Sequence, residues 1–183
     1  MRANVRIFGL SLAVFVLDQI AKAIIRSSME LYASLQVIGN FFRITYVENP
    51  GMAFGLQLGN NVFFTVFALL AGIAITYYLL QLPQTQRLAR LALALVLGGA
   101  LGNLLDRLLS GKVVDFLDFE FFDIHVPAFS FLFVKFPGYE LDRWPVFNVA
   151  DIAVTIGMFL LLGYILFEKE PTQAPAADGE MVR

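Results

Sequence analysis

The stretch Val146–Phe167, VFNVADIAVTIGMFLLLGYILF, decides the fold class of this chain. From Val149 onward it is apolar and long enough to cross a bilayer, which takes about 20 residues. Asp151 nevertheless stands near the start of this apolar segment. A carboxylate at membrane depth is costly and usually has a function. The stretch therefore predicts a membrane-spanning helix whose first turn carries an acid that needs an explanation.

The overall composition is that of a membrane protein. The chain has 183 residues, of which 58% are hydrophobic and 15% charged, with a mean hydropathy of +0.73. Soluble chains are about 45–50% hydrophobic and about 25% charged. The length of this chain fits one domain. A net charge of −2 without a Lys/Arg cluster argues against nucleic-acid binding. The absence of cysteine excludes disulfides, thiol nucleophiles and thiolate metal sites.

Four apolar segments are predicted to span the membrane, which gives a mainly α, four-helix membrane bundle. They are residues 7–25, 62–80, 88–109 and 149–167. Residues 1–168 would form a single domain, and the polar, Pro- and Ala-rich residues 169–183 a disordered cytoplasmic tail.

The start of the chain also resembles a cleavable signal peptide, because arginines precede an apolar run. Asp18 and Lys22 lie where such a peptide carries no charge. These two residues favour a retained first span over a cleaved peptide.

The connections on the far side of the membrane have distinct patterns. LQVIGNFFRITYV alternates around Gly39-Asn40 and predicts a β-hairpin within an outer β region of about residues 30–58. Residues 110–147 are predicted as an outer loop, which holds nine of the 19 phenylalanines. Such an aromatic connection either dips into the headgroup region or forms an ordinary small soluble core.

The polar residues of the spans are predicted to gather at one membrane face. Because successive spans cross the membrane in opposite directions, the first and third spans end at the face where the second and fourth spans begin. Arginines at the N-terminus and in the link 81–90 favour cytoplasmic termini. The cluster would then lie at the outer face. Its members are Asp18, Lys22, Asn49, Asn103, Asp106, Arg107, Asp115 and Asp151.

Several of these residues have structural interpretations. Asp18 and Lys22 are spaced i, i+4 and would neutralise each other, as would Asp106 and Arg107. Such pairs more often tie helix ends together than perform chemistry.

The two remaining acids also have structural interpretations. With Asn148 as N-cap, Asp151 would complete a capping box. Asp115 would be a solvated loop carboxylate like Asp118, Glu120 and Asp123. Spacing alone does not choose Asp115 over these neighbours.

The inventory of reactive groups leaves carboxylates as the best candidates for chemistry. The only histidine, His125, lies outside any H-E-x-x-H motif and is interpreted as structural. No serine lies in Gly-x-Ser-x-Gly, although a Ser–Lys arrangement stays open. Two carboxyls in one site share a proton, so the charged one can activate water and the neutral one can polarise a carbonyl. If Asp151 begins a helix, whose N-terminus favours its charge, Asp151 would be the base of such a pair and Asp115 the acid.

Five segments in order resemble those of the bacterial lipoprotein signal peptidase family, signal peptidase II. They are DQIAK (Asp18–Lys22), ENPGMAFGL (Glu48–Leu56), GGALGNLLDR (Gly98–Arg107), KVVDF (Lys112–Phe116) and FNVAD (Phe147–Asp151). The resemblance implies a multi-pass aspartyl endopeptidase of the bacterial inner (plasma) membrane, with cytoplasmic termini and an active site near the outer leaflet. It would cleave diacylglyceryl prolipoproteins before the lipidated lipobox cysteine, without metal or cofactor, in contact with membrane lipid, and globomycin-type peptides would block it.

The resemblance also implies a role for each matching residue. Asp115 and Asp151 would be the catalytic dyad, and two further sets would serve it. Substrate binding and site shape would fall to Asn49, Gly51, Asn103, Arg107, Asn148 and Ala150, and structural support to Asp18, Lys22 and Asp106.

One departure and two rival functions accompany this resemblance. Residues 119–144 look like an insertion, which would alter the lid over the site. A proton- or ion-coupled transporter would use Asp18, Asp106 and Asp151 as relay groups, and a membrane scaffold would use the carboxylates only to join helices.

Overall fold

The computed structural model describes residues 2–53, 56–57, 61–121, 124–131, 133–136 and 138–167. The predicted disordered tail, residues 169–183, lies outside the described residues. Over the described ranges the chain forms four long helices with small antiparallel sheets between them.

Each of the four helices is long and apolar enough to cross a membrane. They are α1 (Arg2–Ser28), α2 (Asn61–Gln81), α3 (Arg87–Ser110) and α4 (Val149–Phe167). The predicted four-helix membrane bundle is therefore confirmed. The largest difference is in α1, which extends past the predicted span at both ends. Helical hydrogen bonding continues there through polar residues that the apolar pattern alone does not count.

Helix α3 is the centre of the bundle. In its most apolar window 56% of the residues are buried, against 11–22% in the other three helices. Glycines allow the neighbouring backbones to approach: a Cβ on Gly98 would lie 2.6 Å from the Ser11 carbonyl oxygen, and one on Gly99 would lie 2.4 Å from that of Ala150. Small residues at such crossings replace the hydrophobic drive that helices lack in lipid. Helices α1 and α4 are thus fixed closely against α3.

A three-stranded antiparallel sheet stands beside the helix ends, and short ladders accompany it. In this sheet β2 (Phe42–Asn49) lies between β1 (Ser34–Ile38) and β5 (Val113–Phe119). The turn between β1 and β2 contains Gly39 at φ +49°, which confirms the predicted hairpin. The short strands are β3 (Met52–Ala53), β4 (Leu56–Gln57), β6 (Ile124–Val126), β7 (Phe129–Phe131), β8 (Val134–Phe136) and β9 (Tyr139–Leu141).

The predicted outer loop between α3 and α4, residues 110–147, contains strands in its described residues that the sequence analysis did not predict. It contains β5, followed by two antiparallel pairs, β6 with β9 and β7 with β8. The sequence analysis did not predict β5, because a short apolar run without alternation does not distinguish a buried strand from other buried structure.

Some aromatic residues of this connection pack into a small core, and others are exposed. At its base, the Phe119 ring stacks on those of Phe42 and Phe147, with centroids 4.5 and 5.8 Å away. In the turn between β7 and β8, Phe133 is fully exposed, at 100%. A small aromatic core therefore holds the base, while the far end presents an apolar side chain to its surroundings.

Candidate active site

The chain reverses from α3 into β5 and so brings Asp115 beside the end of the bundle. Helix α3 ends at Ser110, and Gly111 caps it in the left-handed conformation at φ +75°, with its N–H donating to the Arg107 carbonyl oxygen. This is a common way for a helix to end, since glycine has no Cβ to clash there. Strand β5 begins two residues later, at Val113.

Asp115 is a buried strand residue with 4% of its surface exposed. The interpretation as a solvated loop carboxylate is therefore wrong. It is also wrong for Asp118, which is 5% exposed and accepts hydrogen bonds from Arg143 Nε at 2.7 Å and Thr45 Oγ1 at 2.6 Å. The residues that bond these two carboxylates come from distant segments, Asn49 and Asn148 for Asp115 and Thr45 and Arg143 for Asp118, and local sequence does not show them.

Asp151 lies in the first turn of α4 and completes the predicted capping box. Asn148 Oδ1 accepts from the Asp151 backbone N–H at 3.0 Å, and Asp151 Oδ2 accepts from the Asn148 backbone N–H at 3.1 Å. The second carboxylate oxygen, Oδ1, accepts from Asn103 Nδ2 at 2.8 Å. The acid that is costly at membrane depth therefore has hydrogen-bond donors on both of its oxygens.

Asn148 joins the two aspartates. Its Nδ2 donates to Asp115 Oδ1 at 2.7 Å, while its backbone N–H binds Asp151. The same Nδ2 lies 3.1 Å from Asn103 Oδ1 and 3.2 Å from the Val114 carbonyl oxygen, and the residue is fully buried. The two carboxylates, 36 positions apart in the chain, are thus both bonded by a single residue, Asn148.

Asn49 contacts the other oxygen of Asp115. On the antiparallel ladder Val47 faces Asp115 and Asn49 faces Val113, so Asn49 reaches Asp115 diagonally and donates from Nδ2 to Oδ2 at 3.1 Å. Gly51 N–H donates to Asn49 Oδ1 at 2.9 Å and orients this amide. Gly51 has φ +112°, and a Cβ there would lie 2.8 Å from the Phe64 ring, so glycine is required.

Behind the aspartates is a buried cluster of charges centred on Lys22. Its ammonium lies 2.8 Å from Asp18 Oδ2 and 2.9 Å from Asp106 Oδ2, and the side chains of all three residues are fully buried. It also donates to Asn103 Oδ1 at 2.8 Å. Because Lys22 occupies the amide oxygen, the amide nitrogen of Asn103 is directed to Asp151. The predicted pairing of Asp18 with Lys22 is confirmed.

The predicted pairing of Asp106 with Arg107 is wrong. Adjacent helix residues do not face each other, and Asp106 Oδ1 instead accepts from Arg26 at 2.9 Å. Asp106 Oδ2 also accepts from the Val114 backbone N–H at 3.2 Å and so fixes β5 next to Asp115. Sequence reasoning missed Arg26, because it lies 80 positions from its partner and no local spacing links them.

The remaining predicted residues complete the wall of the site. Asp18 Oδ1 accepts from the Ala150 backbone N–H at 2.9 Å, and Ala150 is fully buried, so a larger side chain would not fit. The Arg107 guanidinium lies 5.6 Å from the centre of the Phe64 ring, and its charge interacts with those of Asp115 and Asp151. Arg107 therefore places a positive charge near both acids without a salt bridge to any carboxylate of the described ranges.

Burial makes Asp115 a carboxyl that can keep its proton near neutral pH. The pKa of Asp115 is raised from 3.8 to about 7, chiefly by loss of water and also by the negative charge of Asp151, against the lowering effect of the bonds from Asn49 and Asn148. Two acids in contact with one asparagine can hold a single proton between them. This is the chemistry needed to activate water and polarise a carbonyl group.

His125 lies apart from this arrangement, on β6. It is exposed and its Nδ1 is 3.1 Å from Glu140 Oε1 on β9. Within the ranges that the structure describes, no three His, Asp or Glu side chains converge as metal ligands.

Comparison with known proteins gives matches over almost the whole chain. A family model described as signal peptidase (SPase) II matches residues 10–167. The lipoprotein signal peptidase of Moorella thermoacetica is 43% identical over 157 residues, covering 86% of this chain and 90% of the relative. That of Desulforapulum autotrophicum is 37% identical over 175 residues, covering 93% and 97%. A bacterial membrane enzyme solved by the in meso method at 1.9 Å resolution has a TM-score of 0.71 at 32% identity, covering 90% of this chain and 94% of that one.

Proposed function

Because this chain belongs to the signal peptidase II family of membrane proteases, we propose that it removes signal peptides from diacylglyceryl-modified prolipoproteins. Cleavage would occur immediately before the lipidated cysteine of the substrate. The relatives are named lipoprotein signal peptidases, which supports the substrate class. The peptidase itself is a multi-pass membrane protein with four apolar helices among its described residues.

In the proposed mechanism, Asp151 and Asp115 act on one water molecule and one peptide bond. Ionised Asp151 takes a proton from the water, whose oxygen attacks the scissile carbonyl carbon. Protonated Asp115 donates a hydrogen bond to the carbonyl oxygen as its negative charge develops. Asp151 then passes the proton that it took from the water to the leaving amine as the C–N bond breaks. The dyad returns to its starting state with one proton.

The observation that carries this proposal is the contact of Asn148 with both carboxylates. It supports a site in which one water can meet both acids. Asn103 donates to Asp151 Oδ1 at 2.8 Å, and Asn49 donates to Asp115 Oδ2 at 3.1 Å. These bonds favour one orientation of each carboxyl group before substrate arrives, which lowers the cost of reaching the transition state.

The depth of the site gives a reason for a lipidated substrate. Asp151 opens α4, and Asn103 lies near the end of α3, so the acids are at one end of the apolar spans. Diacylglycerol chains would stay in the bilayer while the peptide reaches the acids. With cytoplasmic termini, as the arginine distribution favours, this end belongs to the outer leaflet. Globomycin-type peptides would compete for the same site.

An ion-coupled transporter is less well supported. A relay would need polar groups from one membrane face to the other. Instead, Asp18, Asp106 and Asp151 belong to one network around Lys22 and Asn103. A non-catalytic scaffold would need the same network, and only an activity measurement separates it from a peptidase.

The test is cleavage of a purified diacylglyceryl prolipoprotein by reconstituted enzyme. Asp115→Asn and Asp151→Asn are each expected to lower the rate by more than about 100-fold, since general acid–base groups contribute roughly 10²–10⁴-fold. Asp118→Asn is the matched control, because Asp118 is a buried acid on the same strand without a contact to Asn148. It should keep most of the activity.

A precursor without diacylglycerol tests the substrate class in the same assay. It should be cleaved much more slowly than the lipidated form. Equal rates for the two precursors would refute the lipid requirement, and normal rates for both dyad variants would refute the mechanism.

A further inference from the structure

A cavity of about 630 Å³ opens at the end of the bundle opposite the aspartates. Helix α3 separates the two: Arg87 starts it and Asn103 is 16 residues further on, about 24 Å at 1.5 Å per residue. Three of the lining side chains are arginines. The cavity is lined by Arg6, Ile7, Gln84, Thr85, Arg87, Arg90 and Leu91.

Arg90 is a buried cation whose hydrogen bonds, within the described residues, go to neutral acceptors. It is 3% exposed. Its Nη1 donates to the carbonyl oxygens of Leu79 at 3.1 Å and Leu82 at 2.6 Å, and its Nη2 donates to Asn4 Oδ1 at 2.6 Å. A guanidinium stays charged in proteins, and a buried charge without a counter-ion is costly. The carbonyls at the end of α2 carry partial negative charge and offset only part of that cost.

The other two arginines add positive charge at the mouth of this cavity. Arg6 and Arg87 are exposed. In the part of the chain that the structure describes, neither of them, nor Arg90, forms a salt bridge with a carboxylate. Helix α3 also begins here without a side-chain cap or an acid in its first turn, so the positive end of its dipole contributes to the potential.

We propose that this cavity binds the phosphate group of an anionic membrane phospholipid. Two N–H groups of one guanidinium can bond two oxygens of the same phosphate, whereas a chloride ion offers no such pair of acceptors. Ile7 and Leu91 supply apolar walls next to the arginines, as suits a headgroup with the first carbons of its chains. The position at the end of four apolar spans is where headgroups lie. The bound phosphate would supply the counter-ion that Arg90 lacks among the described residues.

The experiment is native mass spectrometry of the full chain from mixed micelles that contain equal phosphatidylglycerol and phosphatidylcholine. The wild type should retain phosphatidylglycerol preferentially. Arg6→Gln with Arg87→Gln should lower this preference by about five-fold for each arginine, from the attraction of one basic residue to anionic lipid. Arg90 is left unchanged because it holds the end of α2.

Two controls make the result decisive. Lys112→Gln removes one positive charge at the opposite end of the bundle, and it should keep the preference. Inorganic phosphate or glycerol phosphate at 10 mM should not displace the lipid. An unchanged preference in the double arginine variant, an equal loss in Lys112→Gln, or displacement by soluble phosphate would each overturn the lipid assignment.

Discussion

Asn148 Nδ2 donates a hydrogen bond to Asp115 Oδ1 at 2.7 Å, so the N-cap of α4 also orients a carboxylate on β5. The cap itself uses other atoms of Asn148, namely Oδ1 and the backbone N–H toward Asp151. The start of a helix and the geometry of the acid pair therefore depend on one side chain. Its two duties can be separated by substitution.

Asn148→Ser should separate stability from activity. Serine can still cap α4 with its hydroxyl oxygen but cannot reach Asp115. We expect Asn148→Ala to lose about 1–2 kcal/mol of stability through the missing cap, and Asn148→Ser to lose less. Both should lose most of the cleavage rate. Unfolding in mixed micelles and cleavage of a lipidated precursor measure the two effects, and a serine variant with normal activity would contradict the role given to the Asp115 contact.

The cleavage rate should fall as the pH rises through about 7, the pKa of Asp115. Above that pH Asp115 loses the proton that would be donated to the carbonyl oxygen, and a second negative charge appears next to Asp151. The hydrogen bond from Asn49 lowers the pKa of Asp115, so Asn49→Ala should move this alkaline limb to higher pH. A pH–rate profile measures the shift. Asn40→Ala, in the β1–β2 turn, is the control and should leave the limb in place, whereas a limb that moves to lower pH in Asn49→Ala would oppose the assignment.

Removing Lys22 should be far more damaging than removing Lys112. Lys22→Met leaves the carboxylates of Asp18 and Asp106 buried without their shared cation, which costs about 3–5 kcal/mol. Lys112 pairs with Glu48 at 3.2 Å, but its side chain is 48% exposed, so Lys112→Met should cost less than about 1 kcal/mol. Unfolding free energies in the same mixed micelles test the contrast. Equal losses would show that the buried cluster does not support the bundle.

Gly99 and Gly163 offer a test of helix packing. A Cβ on Gly99 would lie 2.4 Å from the Ala150 carbonyl oxygen and 2.8 Å from Val154 Cγ2, whereas nothing lies within 4 Å of one on Gly163. Gly99→Ala should cost about 1–3 kcal/mol by overpacking. Gly163→Ala should be neutral or gain up to about 1 kcal/mol from helix propensity. Because Gly99 contacts the first turn of α4, its variant should also cleave more slowly; a stabilised Gly99→Ala would refute the close crossing.

The sequence predicted those parts of the structure that depend on residues close together in the chain. The apolar length of each span requires a helix, since lipid satisfies no backbone hydrogen bonds. The Gly39-Asn40 turn and the Asn148–Asp151 capping box depend on a few neighbouring residues, and both are present in the structure. The alternating direction of the spans also predicted that Asp18, Lys22 and Asn103 would lie together.

Contacts between distant segments could not be predicted from the residues alone. Asp115 and Asp118 share one strand and both are buried. Yet Asp118 is held by Arg143, while Asp115 meets Asn148. No spacing rule distinguishes them, and the family resemblance, rather than the pattern, singled out Asp115. The pairing of Arg26 with Asp106 and the strand character of β5 were missed for the same reason.

The sequence by itself determined a four-span membrane protein with the acidic side chains of its spans at one end, because chain length and hydropathy act locally. Only the tertiary structure decided which acids share a partner: β5 must pair with β2 and α4 must pack on α3 before Asn148 can reach both. Long-range pairing and helix packing set those distances, and a linear pattern carries no measure of them.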